Sequence, residues 1–202
     1  MAIATLSNAR IWFAQYHLSS DFNQVAITKG HEEQDATNFL NTARNIVGAL
    51  PMVELSGSGF FNAGNGNVHE VLRGNINVAD VPVTVAPSAT DGGYAELFKA
   101  RVLQYRTLGP VGQLIPFSVE AKGQGHPGIN ATLMGLGSKT SSENGTAVNL
   151  GSVSATQRIY AALHVISASG TTPTLDVTIE SDDGSGFASA TAAKLTDNLA
   201  GD

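Results

Sequence analysis

Residues 31–35 read His-Glu-Glu-Gln-Asp, so His31, Glu32, Glu33 and Asp35 crowd four potential donors into one short stretch. Such a cluster could hold a cation. Metal sites, however, draw their ligands at set spacings, and neither an EF-hand loop nor an H-E-x-x-H pattern is present. A solvated charged segment, or one that pairs with a basic patch on a neighbouring molecule, accounts for the same residues. Residues 123–128, Gly-Gln-Gly-His-Pro-Gly, match the letters of a dinucleotide-binding turn, and Glu143 lies about 20 residues further on. That chemistry requires a helix N-terminus directly after the turn. Here Gly135, Gly137 and a Ser/Thr-rich tract follow, which reads as loop. Asp182 and Asp183, before Gly184 and Gly186, read as a turn. His17, His69, His126 and His164 are scattered, with no serine elbow or regular carboxylate partner, so no enzyme is expected. No catalytic residue, metal or cofactor is assigned. Asn130 and Asn144 fit the glycosylation sequon but carry no weight without a secretory leader.

The elements that would position these residues are β-strands. The chain has 202 residues, 22 glycines, 14% charged and 6% aromatic residues, and no cysteine. Short Val, Ile, Thr and Leu runs punctuated by glycine predict an all-β protein with many turns. The absence of cysteine excludes disulfides, thiolate chemistry and Cys-type zinc sites. A formal charge of −6 argues against a surface that grips nucleic-acid phosphates, while leaving room for one past which DNA slides. No basic segment precedes an apolar run at the N-terminus, and no window approaches the ~18 apolar residues of a membrane span. The expectation is a soluble chain kept in the cytoplasm until it assembles.

Along the chain, residues 9–14 predict a first strand and 16–21 a turn. Residues 25–27 and 52–60 predict strands, and 68–73 a short helix capped by Asn67 with Val68, Val71 and Leu72 on one face. Residues 81–85 alternate cleanly, and Pro82 points to a sheet edge. Residues 96–105 suit helix or strand, with the β context favouring strand. Residues 113–122 form another. A first domain over 1–123 is followed by a Gly/Ser/Thr-rich linker over 124–150 and a C-terminal β segment over 151–202. Within that segment, 159–166 read as a strand covered on both sides and 174–180 as one with a dry and a wet face. Its few strands must pack on the first domain or be completed by a neighbouring subunit.

The connection over residues 31–51 is the most informative stretch. Compact domains usually join elements with about 4–6 residues, and connections beyond ~12–15 are usually functional or disordered. This one carries Phe39, Leu40, Ile46, Val47 and Leu50, too many large apolar groups for a disordered loop. Ordering against a neighbouring protein is the better reading. The expected subunit interface is Glu32, Glu33, Asp35, Thr37, Phe39, Arg44, Ile46 and Leu50.

The order of elements resembles the tail tube proteins of long, non-contractile-tailed bacteriophages. The resemblance is carried by Tyr16, Leu18 and Ser19 in the first turn, by Asp35, Thr37 and Phe39, by Thr42-Ala-Arg44 and Gly48-Ala-Leu50, and by the strand ending Gly57 to Phe61. It continues through the short helix at His69 to Leu72, through Val83 to Pro87, and through Gly112 to Val119. Residues 155–165 also resemble phage virion proteins of this group. The resemblance implies a β-sandwich or barrel flanked by a helix, six copies closing into a ring, and rings stacking into a tube through which DNA leaves the capsid. It implies that the long connection packs between subunits, that other tail proteins are partners, and that DNA passes an acidic lumen without specific binding. The chain would then reside in the virion tail. It departs from its relatives in ending soon after residues 193–195, which leaves residues 151–202 as an outer decoration or a brace between rings. A capsid decoration protein or tail-tip adaptor is the competing reading, and a hydrolase or sugar-binding enzyme on a β scaffold a third.

Overall fold

The computed structural model describes residues 8–125, 128–145, 147–149, 151, 158–169, 175–182 and 191–195. These fall into two units, one built from residues up to 145 together with 158–166, the other from 147–151 and the residues after 166. Among the described residues no helix is long and apolar enough to cross a membrane.

The first unit contains β1 (Arg10–Phe13), β2 (Tyr16–His17), β3 (Phe22–Asp35), β4 (Ile46–Phe60), α1 (Val68–Gly74), β5 (Val81–Ala86), β6 (Tyr94–Thr107), β7 (Pro116–Gly123) and β8 (Ile129–Thr132). The strands form one antiparallel sheet in the order β2-β1-β5-β6-β7-β4-β3, with β8 added to the N-terminal half of β6. The expected class, all-β with one short helix, is the one the chain adopts. The sheet curls about its main core. Ile11 and Phe13 of β1, Val83 of β5, Val102 of β6, Val53 and Leu55 of β4, and Phe117 and Val119 of β7 all belong to it, with Val68, Val71 and Leu72 of α1.

Period-two patterning explains most of these strands. In β7, Phe117, Val119 and Ala121 are buried while Pro116, Ser118, Glu120 and Lys122 are exposed. In β6, Phe98, Ala100 and Val102 are buried between exposed or half-buried neighbours, so the strand reading of residues 96–105 holds. Gly123 ends β7 where a Cβ would lie 2.0 Å from Val53 Cγ1, so only glycine admits that approach of β7 to β4.

Four expectations need correction. Pro82 lies in an interior strand, because β5 pairs with both β1 and β6. It is tolerated because Ala14 N–H still donates to Pro82 O (2.9 Å), while the Ala14 carbonyl, which gets no donor from the proline, lies 2.6 Å from His164 Nδ1. Asn67 occupies the N-cap of α1, but its side chain donates to Asn62 Oδ1 (3.0 Å), and Asp21 Oδ2 accepts the Val68 N–H (3.0 Å). Residues 159–166 join no sheet. Their anchor is His164, whose Nε2 lies 2.7 Å from Thr84 Oγ1 and Nδ1 2.6 Å from Ala14 O. Finally, residues 129–132, within the stretch read as linker, form β8, and Leu133 after it is buried against Trp12, Ala86 and Ala95.

In the second unit, β9 (Val177–Ser181) pairs antiparallel with β10 (Thr191–Leu195), from Thr191↔Ser181 to Leu195↔Val177. Residue 174 and most of the turn before it lie outside the described residues, as do His126, Asp183 and residues 155–157.

Candidate functional site

The stretch read as a long connection is mostly β-structure. β3 runs to Asp35 and β4 starts at Ile46, so only residues 36–45 form a loop. The two strands pair from Phe22↔Gly59 to Asp35↔Ile46. β7 pairs with β4 only from Glu54↔Lys122 to Phe60↔Pro116. The rest of β4 has β3 as its sole partner, and this two-stranded arm extends roughly 20–25 Å past the sheet at about 3.4 Å per residue. Every residue from 31 to 48 is exposed. The alternation that marks a strand was missing there because neither face is buried within the chain.

An irregularity sits at the root of the arm. The register passes from His31↔Pro51 to Glu33↔Gly48, so β4 carries one residue more than β3. Paired residues share a face, which puts His31, Glu33 and Asp35 with Gly48 and Ile46 on one side and Gln34 with Val47 on the other. Alternation along β3 therefore turns Glu32 away from His31 and Glu33. Among the described residues no three His, Asp or Glu side chains gather as a cation site.

The tip is held by its own polar groups. Asp35 Oδ1 accepts the Thr37 N–H (2.9 Å), and Asp35 Oδ2 accepts Arg44 Nε (3.3 Å). Asn45 N–H donates to Thr37 Oγ1 (2.9 Å) and Ala36 N–H to Asn45 O (2.9 Å). Asn38 Oδ1 accepts the Leu40 N–H (3.0 Å), and Asn41 Oδ1 the Asn38 N–H (2.7 Å). The hydrogen bonds from Thr37, and then that from Arg44, hold the Asp35 carboxyl below its ordinary pKa. The outcome is an ordered turn that displays Phe39 and Leu40, both essentially fully exposed.

The eight expected interface residues thus divide. Phe39, Ile46 and Leu50 present apolar surface, Leu50 at 73% exposure. Glu32 and Glu33 lie on opposite faces of the arm, and Asp35, Thr37 and Arg44 brace the tip. Sequence reasoning missed a second exposed apolar loop, residues 108–115 between β6 and β7, where Leu108, Val111, Leu114 and Ile115 are exposed. Reading the strand from residue 113 hid it, because Leu114 and Ile115 continue the apolar pattern that β7 begins only at Pro116.

The remaining candidates have structural roles. Gly123 meets Val53, and the segment after Gly128 is a strand where a phosphate site would need a helix. His69 Nδ1 lies 3.2 Å from Tyr105 Oη and its ring packs on Phe61, beside an open hollow lined by Ala63, Asn65, Glu70 and Arg73. His17 Nε2 lies 2.8 Å from Ser19 Oγ, and burial, then Arg10, lowers its pKa. Lys29 of β3 forms an ion pair with Glu96 of β6 and donates to Asn130 Oδ1 (3.0 Å), tying the free edge of the curled sheet back to its middle.

No family model matches the chain, and no curated protein matches it. Solved structures are similar to it. A protein of the native gene transfer agent virion shares 14% identity over 62% of this chain and 96% of its own, with a TM-score of 0.48. The SPP1 tail tube protein shares 10% over 65% and 81%, with a TM-score of 0.48. The sheath/tube terminator of the PVC extracellular contractile injection system shares 6% over 65% and 99%, with a TM-score of 0.49.

Proposed function

We propose that this chain is a structural subunit of a phage-type virion tail, which assembles with copies of itself through the arm formed by β3 and β4. The observation that carries the reading is the unpacked apolar strand of that arm. Ile46, Val47 and Leu50, with Phe39 and Leu40 at the tip, are exposed on a ribbon two strands wide. A two-stranded hairpin is at best marginally stable by itself in water, and exposed apolar surface of this kind marks a protein interface. The tip is nonetheless ordered by its own hydrogen bonds, so little entropy is lost when a partner covers it.

The motif order that resembles tail tube proteins makes the partner another copy, with six copies to a ring and rings stacked into a conduit for DNA. An acidic chain of net charge −6 suits a channel wall that DNA passes without adhering. β3 is also an edge strand of fourteen residues, a length that soluble monomers usually cover or blunt. No chemistry is required of the site, and the role is structural.

Electron microscopy of the purified protein, with mass measurement in solution, tests this. Rings or tubes with a central channel are expected, and deletion of residues 33–46 is expected to abolish them while leaving a folded β core. A strictly monomeric protein under assembling conditions overturns the proposal, as does intact assembly of the deletion variant. Three-fold particles, or binding to capsids without tubes, would instead identify a decoration or adaptor protein.

A further inference from the structure

The arm tip and the loop 108–115 lie at opposite ends of the same sheet. β4 begins at the arm and ends at Phe60, which pairs with Pro116, and β6 runs in the same direction as β4 and ends at Thr107, which pairs with Phe117. The fifteen residues of β4 separate the two ends by roughly 45–50 Å. The chain therefore cannot bring its own tip to its own loop.

The two ends match in chemistry. Residues 36–43 of the tip contain no ionisable group, and Asp35 and Arg44 at its base are paired with each other. Residues 108–115, Leu-Gly-Pro-Val-Gly-Gln-Leu-Ile, also contain none. In a chain with 28 charged residues, both neutral segments expose large apolar side chains. Leu108 adopts φ 84°, a left-handed conformation that leucine disfavours, with its side chain in solvent. The flanking charges are opposite. Glu32 and Glu33 sit a few residues below the tip, and Arg106 sits two residues below the loop; none of the three is in an ion pair among the described residues.

We infer that the arm tip of one copy seats on the loop 108–115 of the next copy, with Phe39 and Leu40 against Leu108, Val111 and Leu114, and Glu32 or Glu33 facing Arg106. The contact is heterologous, because each copy offers a different surface at each end. It does not close on a pair, so it propagates along the strand direction and stacks one ring on the next. The inference deepens the self-assembly proposed above and rests on it.

Two variants with complementary defects test it. Phe39→Asp loses the donor end and keeps the loop, whereas Val111→Asp loses the loop and keeps the donor. Both side chains are fully exposed, so both variants should fold, which circular dichroism and thermal unfolding check. Neither variant alone should form tubes, and an equimolar mixture should give stacks limited to two layers. The cysteine-free chain permits a direct readout: Asn38→Cys in one preparation and Gln113→Cys in another should form a mixed disulfide on oxidation, in excess over either homodimer. Wild-type assembly by Val111→Asp overturns the inference, as does a predominance of the disulfide homodimer of the Asn38→Cys variant over the mixed product. If deletion of residues 33–46 abolishes tubes while Val111→Asp does not, self-assembly through the arm stands and this acceptor falls. If the deletion leaves tubes intact, the arm reading itself falls.

Discussion

Asp35 and Arg44 face each other across the base of the arm tip, with Nε 3.3 Å from Oδ2, and the same carboxylate accepts the Thr37 N–H at 2.9 Å through its other oxygen. One side chain thereby fastens both strands of the arm where they leave the ladder.

This carboxylate sets an acid limit on tip order. Its pKa is lowered in the folded arm, so its contribution is complete above the ordinary carboxylate value of about 4 and is lost as pH falls through the lowered value. Protection of the Thr37 and Asn45 amides, relative to their intrinsic exchange at each pH, should hold from neutral pH to about pH 4 and fall below it. Asp35→Ala should show low protection at all pH values while leaving the unfolding temperature of the core unchanged.

Val53 and Gly123 should be coupled in stability. Val53 is 1% exposed, and truncating it to alanine should cost about 2 kcal/mol in urea unfolding. Gly123→Ala places a methyl 2.0 Å from Val53 Cγ1 and should be destabilising in the wild-type background. In the Val53→Ala background the methyl enters the vacated space, so the double variant should be more stable than the sum of the single effects predicts.

Asp21 should be worth more than an ordinary helix cap. It accepts the buried Val68 N–H (3.0 Å) and Asn62 Nδ2 (3.2 Å), while its carbonyl accepts the Phe60 N–H (3.0 Å). Asp21→Ala leaves the Val68 donor buried and should cost about 1–3 kcal/mol, with α1 loosened first in amide exchange. Equal protection of α1 in variant and wild type would refute this role.

His164 should release residues 158–166 in acid. Burial pushes its pKa below the ordinary histidine value, with the Ala14 carbonyl opposing that shift. The neutral ring therefore favours the anchored state, fully so above about pH 6.5, and this contribution is lost as pH falls through the lowered value. The single tryptophan, Trp12, stacks on His164 with ring centroids 6.2 Å apart, so its fluorescence reports the event. His17 lies 5.7 Å from the same ring and also has a lowered pKa. The acid transition in fluorescence should persist in His17→Ala and disappear in His164→Ala.

The sequence disclosed the strands that divide one dry face from one wet face. β7 is recognisable from Phe117, Val119 and Ala121 because its burial is confined to one face, whereas β5 shows Val81, Val83 and Val85 on the core side with Thr84 and Ala86 buried on the other. The arm is legible as a stretch rich in apolar residues and illegible as a β-ribbon, since its residues have no interior to alternate against. Residues 159–166 misled in the opposite sense: apolar residues on both faces suggested a covered strand, but the segment joins no sheet and His164 ties it to Thr84 and Ala14. The loop 108–115 was lost because apolar residues predict burial, and nothing in the chain itself signals that Leu114 and Ile115 stay outside.

The extra residue in β4 between Pro51 and Gly48 gives a single strand two reading frames. On the core-facing side, odd positions such as Val53 and Leu55 are turned inward below the irregularity, and even positions such as Gly48 and Ile46 occupy that side above it. The lower frame is dictated by the chain's own core, whereas the residues of the upper frame lie exposed. Removing one residue at Ala49 would restore a regular ladder and leave Gly48 and Ile46 opposite Glu33 and Asp35. One continuous strand thus has an inner half whose facing is set by the core and an outer half with only β3 beside it.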